Sequence, residues 1–148
     1  MSNTVRNVLA VLAGLVIGAI VNMVLVTVGS MVIPPPAGVD VNNVESMKAS
    51  MHLFEPRHFI TPFLAHALGT LVGAVAAFVI ARSYKTRFAY VIGIIFLLAG
   101  VAASVMIPAP TWFKVLDLVV AYIPMAWLGA QIGGRVNQGA PVSQKREA

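Results

Sequence analysis

The chain has 148 residues, of which 59% are hydrophobic and 10% are charged, and its formal net charge is +5. A soluble domain is about 45–50% apolar and about 25% charged, and one of this size cannot bury so much apolar surface. The composition therefore excludes a soluble enzyme, a disordered protein and a nucleic-acid-binding module, and it predicts a membrane protein with a single domain over residues 1–135.

Four apolar runs are long enough to cross a bilayer core, which takes ~20 helical residues. Backbone groups in lipid must form hydrogen bonds within their own segment, and the runs lack the alternation of a β-barrel strand, so we predict helices. The first run exceeds the ~7–15 residues of a signal-peptide core, so we expect it to remain as a span. The fold class is therefore an all-α membrane protein, a four-transmembrane-helix bundle with spans at about 5–32, 58–81, 88–107 and 112–134.

The distribution of lysine and arginine predicts the orientation, because cytoplasmic segments carry the excess of these residues. The external side would hold only Lys48, Arg57 and Lys114. Both termini are then cytoplasmic, the loop 33–57 is external, the membrane is the bacterial cytoplasmic (inner) membrane, and residues 136–148 form a disordered cytoplasmic tail. The cytoplasmic cations would be Arg6, Arg82, Lys85, Arg87, Arg135, Lys145 and Arg146.

The external loop contains a short amphipathic pattern. Pro34, Pro35 and Pro36 end the first helix, and Asp40 is placed to cap the next one. Apolar residues then recur at helical spacing, which predicts a short external helix lying on the membrane or covering the bundle. These residues are Val44, Met47, Met51 and Phe54.

Two segments that each end a span resemble one another. Residues 30–36 are SMVIPPP and residues 104–110 are SVMIPAP, with serine, isoleucine and two prolines at matching positions. The match predicts two helical hairpins of the same orientation, related as a parallel repeat. Convergence is the open alternative, because proline commonly follows the end of a helix.

Small residues recur along each predicted span, often four apart, as in helices that pack closely in a membrane. We expect these positions to form the contacts within the bundle, with the second span at its centre. Similar stripes would also suit a homo-oligomer or a membrane-protein partner. The glycines predicted to pack are Gly14, Gly18, Gly69, Gly73, Gly93, Gly129 and Gly133.

Polar side chains within the spans gather in the outer half. From the helical rise, we place His66 and Asn22 ~12 Å or more deep and Asp117 ~8 Å deep. Ionisable residues inside spans are costly and are functional candidates. Candidate ligand- or proton-binding residues are therefore Asn22, His66 and Asp117, with the shallower Ser104 and Lys114. The alternative is structural, in which the same side chains form hydrogen bonds that fix the packing register.

Other chemistries have weaker signals. His52, Glu55 and His58 have a spacing that suggests metal binding, but Pro56 breaks a common helical face, so we predict no metal site and no cofactor. We assign no catalytic residue. An enzyme with His66 as base, oriented by Asp117, ranks last because Ser104 is the sole nucleophile at a matching depth. We expect a small transporter or ligand-binding protein with an outward-facing site. The alternative is a non-catalytic structural or accessory subunit that associates through small-residue helix faces.

Overall fold

The computed structural model describes residues 2–138. Within that range all the regular secondary structure is helical, and there is no strand. Four helical segments are long and apolar enough to cross a membrane, which confirms the predicted all-helical, four-span composition. The helices are α1 (Asn3–Val32), α2 (Val44–Ser50), α3 (Ile60–Ile80), α4 (Lys85–Met106), α5 (Thr111–Val120) and α6 (Ile123–Gln138), with 3-10 turns at Met51–Leu53 and Pro56–Phe59.

The fourth span is two helices where the sequence predicted one. The chain forms a turn at Ala121 and Tyr122, between α5 and α6. Pro124 explains the break, since it has no N–H to donate and its ring collides with the carbonyl four residues earlier, on Val120. Helix α6 continues to Gln138, and the remainder of the predicted tail, 139–148, lies outside the described residues.

Helix α3 occupies the centre of the bundle and contacts α1, α4 and α6, as predicted. Its closest neighbour is α1. A methyl group at Gly14 would lie 2.7 Å from the carbonyl oxygen of Gly73, and one at Gly18 would lie 2.7 Å from that of Gly69. These distances are too short for carbon against backbone, so α1 and α3 can approach this closely only because each position is glycine.

The other predicted packing glycines also lie at contacts between helices of the same chain. A methyl group at Gly93 on α4 would lie 2.6 Å from the Cβ of Ala126 on α6. On α6, methyl groups at Gly129 and Gly133 would each lie 2.7 Å from side-chain atoms of α3. The glycine stripes therefore build the bundle itself.

We call the end of the bundle that holds residues 81–84 the terminus end, and the end that holds residues 33–59 the loop end. At the terminus end, buried Asn7 accepts a hydrogen bond from the Arg82 backbone N–H at 2.9 Å and donates one to the Ser83 hydroxyl at 2.9 Å. The Arg6 Nε donates to the Ile80 carbonyl at 2.8 Å. These bonds fasten the start of α1 to the α3–α4 turn, so that the glycines of α1 and α3 meet in register.

Asn43, and not Asp40, caps the short helix α2. Its Oδ1 accepts hydrogen bonds from the N–H groups of Glu45 and Ser46 at 2.9 and 3.1 Å. The predicted cap at Asp40 is wrong because that carboxylate accepts from Asn42, two residues on, at 2.9 Å, which is an Asx turn. Since α2 ends at Ser50, the later part of the predicted apolar stripe lies outside it.

The two similar proline segments have the same local structure at their helix ends. Helix α1 ends one residue before Ile33, whose N–H donates to the Gly29 carbonyl at 2.7 Å. Helix α4 ends one residue before Ile107, whose N–H donates to the Ala103 carbonyl at 2.7 Å. The matching residues therefore end their helices in the same way, and a proline follows each end.

Candidate functional site

A hydrogen-bonded pair of ionisable side chains joins α3 to α5. The Nδ1 atom of His66 lies 2.9 and 3.0 Å from the two carboxylate oxygens of Asp117. Because a carboxylate only accepts, Nδ1 carries the shared hydrogen. Asp117 is 5% exposed, whereas the His66 side chain is 30% exposed. The Nε2 atom of His66 has no partner among residues 2–138 and is not buried, so it is the atom that another molecule could reach.

Tyr122 is the third member of this cluster, and the sequence analysis missed it. Its hydroxyl donates to Oδ2 of Asp117 at 2.9 Å, and its ring stacks beside the imidazole of His66 with centroids 6.0 Å apart. A methyl group at Gly100 would overlap the Tyr122 hydroxyl, so glycine there makes room for the ring. The signal was Pro124, which breaks the helix and brings Tyr122 back towards Asp117, five residues earlier in the chain.

A cavity of about 360 Å³ adjoins the cluster at the loop end. Its walls come from α1, α3, α4, α5 and the loop between α1 and α3. Among the predicted site residues, His66, Asp117, Ser104 and Lys114 all line it, together with His58 and Asn42. Most of the remaining wall is apolar and includes Val26, Ile33, Met47, Phe54, Ile107, Phe113 and Leu118.

Lys114 reaches from α5 to the end of α4. Its Nζ donates to the backbone carbonyl of Ser104 at 2.5 Å. That carbonyl lacks its helical partner because the residue four positions on is Pro108, which has no N–H. The Ser104 hydroxyl donates to the Val101 carbonyl at 2.7 Å, so it forms no nucleophile–base hydrogen bond with His66.

Asn22 does not join the pair. It lies at the α1–α3 contact, where a methyl group at Gly69 would lie 3.1 Å from its Cβ. Its Oδ1 is buried without a hydrogen-bond partner among the described residues, and Asn22 is absent from the cavity wall. The expected meeting of Asn22 with His66 and Asp117 is therefore wrong: Asn22 lies beside Gly69 of α3 and outside the cavity wall.

The side chains of Glu55, Arg57 and His58 interact with one another within the loop between α1 and α3. The Glu55 N–H donates to Nδ1 of His58 at 2.9 Å, and Arg57 forms an ion pair with the Glu55 carboxylate at 2.9 Å. Within residues 2–138, no group of three or more histidine or acidic side chains is arranged to hold a metal ion. These side chains stabilise the 3-10 turn that leads into α3.

The geometry defines what the site can do. A histidine whose Nδ1 is held by a carboxylate presents Nε2 as a hydrogen-bond acceptor, or as a position for a proton. No protein-family model, no curated protein and no solved structure matches this chain. A function must therefore be inferred from the site itself.

Proposed function

We propose that this chain is a small integral membrane protein that binds a small ligand in an outward-facing intramembrane cavity, as a ligand-binding protein or a transporter. The observation that carries the proposal is the hydrogen-bonded His66–Asp117–Tyr122 cluster, of which His66 and Asp117 line a cavity of about 360 Å³ with mainly apolar walls. Small-molecule sites are typically ~300–1,000 Å³, mostly apolar, and contain a few placed polar groups. A buried carboxylate is costly in a membrane, and such residues are generally kept for function.

We place both termini in the cytoplasm of a bacterial inner membrane and the loop end outside. Charge supports this orientation, since Arg6, Arg82, Lys85, Arg87 and Arg135 lie at the terminus end. The acidic residues of the described range, Asp40, Glu45, Glu55 and Asp117, lie at the loop end or in the cavity wall. In this arrangement α2 and the 3-10 turns form an external cover, and α1–α3 and α4–α6 form two hairpins of the same orientation.

Cysteine labelling tests the orientation. The chain has no cysteine, so each introduced thiol is labelled without background. In intact cells we expect a membrane-impermeant maleimide to label Asn42→Cys, in the exposed loop, and to label Thr86→Cys, at the exposed terminus end, only after permeabilisation. The reverse pattern would overturn the orientation, and labelling of both in intact cells would contradict a spanning bundle.

A matched pair of substitutions on α4 tests whether the cavity is open to water. Ala103 lines the cavity, whereas its neighbour Ala102 is exposed on the outside of the bundle, where we place lipid. A thiol reacts as the thiolate, which forms poorly in apolar surroundings, so Ala103→Cys should react with a hydrophilic methanethiosulfonate about tenfold faster than Ala102→Cys. Equal rates would mean that the cavity is not open to water.

The rate at which Ala103→Cys is labelled also tests for ligand binding. We expect at least one of three amphiphiles with an eight-carbon chain, namely octanoate, octanol and octyltrimethylammonium, to slow the labelling of Ala103→Cys saturably, without affecting Ala102→Cys. His66→Ala should abolish this protection, whereas His52→Ala, an exposed histidine outside the cavity wall, should retain it. The proposal fails if no compound protects, or if protection survives His66→Ala. Flux of the protecting compound into proteoliposomes then separates transport from binding alone.

The alternative function, an accessory subunit that docks through small-residue faces, has less support. It requires stripes of small residues that remain free for a partner. Glycines of α1, α3, α4 and α6 instead lie against neighbouring helices of the same chain. We therefore propose the surrounding bilayer and a small ligand as its partners, and not a second protein held by these stripes.

A further inference from the structure

The cavity wall contains a cation without a carboxylate partner. Within residues 2–138, Lys114 has no acidic oxygen within ion-pair distance, and its Nζ is bonded to the neutral carbonyl of Ser104. Asp117, the acidic residue of the same wall, instead accepts from His66 and Tyr122. A backbone carbonyl satisfies one N–H of the ammonium but does not neutralise its charge, which is costly in apolar surroundings. An anionic group bound in the cavity would give this ammonium a counterion.

His66 adds a second requirement on the ligand. Its Nδ1 is held by Asp117, so Nε2 is left to share a proton with the ligand. Lys114 retains N–H groups that can donate to an oxygen. The matching head group has one oxygen that accepts from Nζ and another that shares its proton with Nε2, and a carboxylic acid has both. When the acid passes its proton to Nε2, the carboxylate that remains is the counterion of Lys114, and the overall charge of the cavity stays the same.

The rest of the wall determines the remainder of the ligand. Val26 and Ile33 from α1 face the cavity, as do Met47 and Phe54 from the loop and Ile107 at the end of α4. These side chains offer no hydrogen bonds, so they suit an alkyl chain. The volume of about 360 Å³ is near the lower end of the ~300–1,000 Å³ typical of ligand sites, which favours one short chain over a two-chain lipid.

We propose that the cavity binds a short single-chain carboxylic acid, with its head group at Lys114 and His66 and its alkyl chain against the apolar wall. The inference rests on the proposed function and specifies its ligand. An alcohol would leave the Lys114 charge without a counterion, and an alkylammonium would place a second cation beside it. The order of binding should therefore be carboxylate, then alcohol, then ammonium.

Protection of Ala103→Cys tests this order. Hydrogen bonds to charged groups are stronger than those between neutral groups, so we expect octanoate to protect at a concentration at least about tenfold lower than octanol. Octyltrimethylammonium should not protect. Decanoate, with two more methylenes, should protect about 15-fold better than octanoate if the chain is buried.

Substitution of the cation provides the decisive comparison. Lys114→Met should raise the half-protecting concentration of octanoate about tenfold and leave that of octanol unchanged, whereas Lys114→Arg, which keeps the charge, should retain octanoate protection. If Lys114→Met does not fold, the carboxylate ligand is still tested by protection of the Lys114→Arg variant and by the order of octanoate, octanol and octyltrimethylammonium on the wild-type cavity. Equal protection by octanol and octanoate, or protection by the ammonium, would overturn the carboxylate ligand and leave the proposed function standing. Protection by no compound would overturn both.

Discussion

Replacing Gly73 by leucine is expected to prevent the bundle from folding, and Gly73→Ala should already cost about 3 kcal/mol in free energy of unfolding. A methyl group there would lie 2.6 Å from the carbonyl oxygen of Gly14. The obstacle is backbone in the middle of a long helix, so it cannot rotate away as a side chain could. Relief would require separating α1 from α3 along their whole contact. Thermal unfolding in detergent and size-exclusion chromatography would measure the effect.

Gly134→Leu is the matched control for this prediction. It also replaces a glycine within a spanning helix, but the nearest atom to an added methyl group lies 3.8 Å away, which is an ordinary contact. We expect the Gly134 variant to remain folded and to unfold close to the wild-type temperature. Similar behaviour of the Gly73 and Gly134 variants would contradict the proposed role of the α1–α3 glycine contact.

Asp117→Ala is expected to lower the free energy of unfolding by about 3 kcal/mol, because it removes the acceptor shared by two side chains. The Tyr122 hydroxyl is buried and would lose its partner, and Nδ1 of His66 would lose the group that holds it. Tyr122→Phe should cost less, about 1 kcal/mol, since Asp117 keeps its bond to His66. Equilibrium unfolding of both single variants and of the double variant would give the coupling between them.

A comparison of His66→Ala with Asp117→Ala separates a structural role of the polar cluster from a role in ligand binding. The His66 side chain is 30% exposed, so His66→Ala should cost much less stability than Asp117→Ala while abolishing ligand protection. If His66→Ala instead destabilises the protein as much as Asp117→Ala, the cluster acts chiefly as a hydrogen-bonded link between α3 and α5. An Asp117→Ala variant as stable as wild type would contradict the buried network.

Much of the candidate site could be predicted from residue type and depth. His66, Asp117, Ser104 and Lys114 were chosen because they are polar groups near one end of apolar spans, and all of them line one cavity. Depth follows from counting residues along a helix. Direction around the helix axis does not, because it depends on which neighbours each face meets, and this is why Asn22 was grouped incorrectly.

Tyr122 shows the other limit. On a regular helix, a residue five positions after Asp117 would not share its face, so helical spacing alone could not place the two side chains together. The turn before Pro124 makes the contact, and Gly100 on another helix leaves the space for the ring. The turn follows locally from Pro124, whereas the space left by Gly100 depends on a contact between distant parts of the chain.

The amino-acid sequence by itself determined that the chain is helical and has four membrane-length segments, because apolarity over such a length permits few other structures in lipid. It also determined where the helices can approach, since glycine stripes mark close contacts. Only the tertiary structure decided which polar groups meet, because hydrogen bonds form over about 3 Å, and the rotation and kinking of each helix set distances on that scale. The tertiary structure therefore decided that His66 pairs with Asp117 and that Asn22 lies outside the cavity.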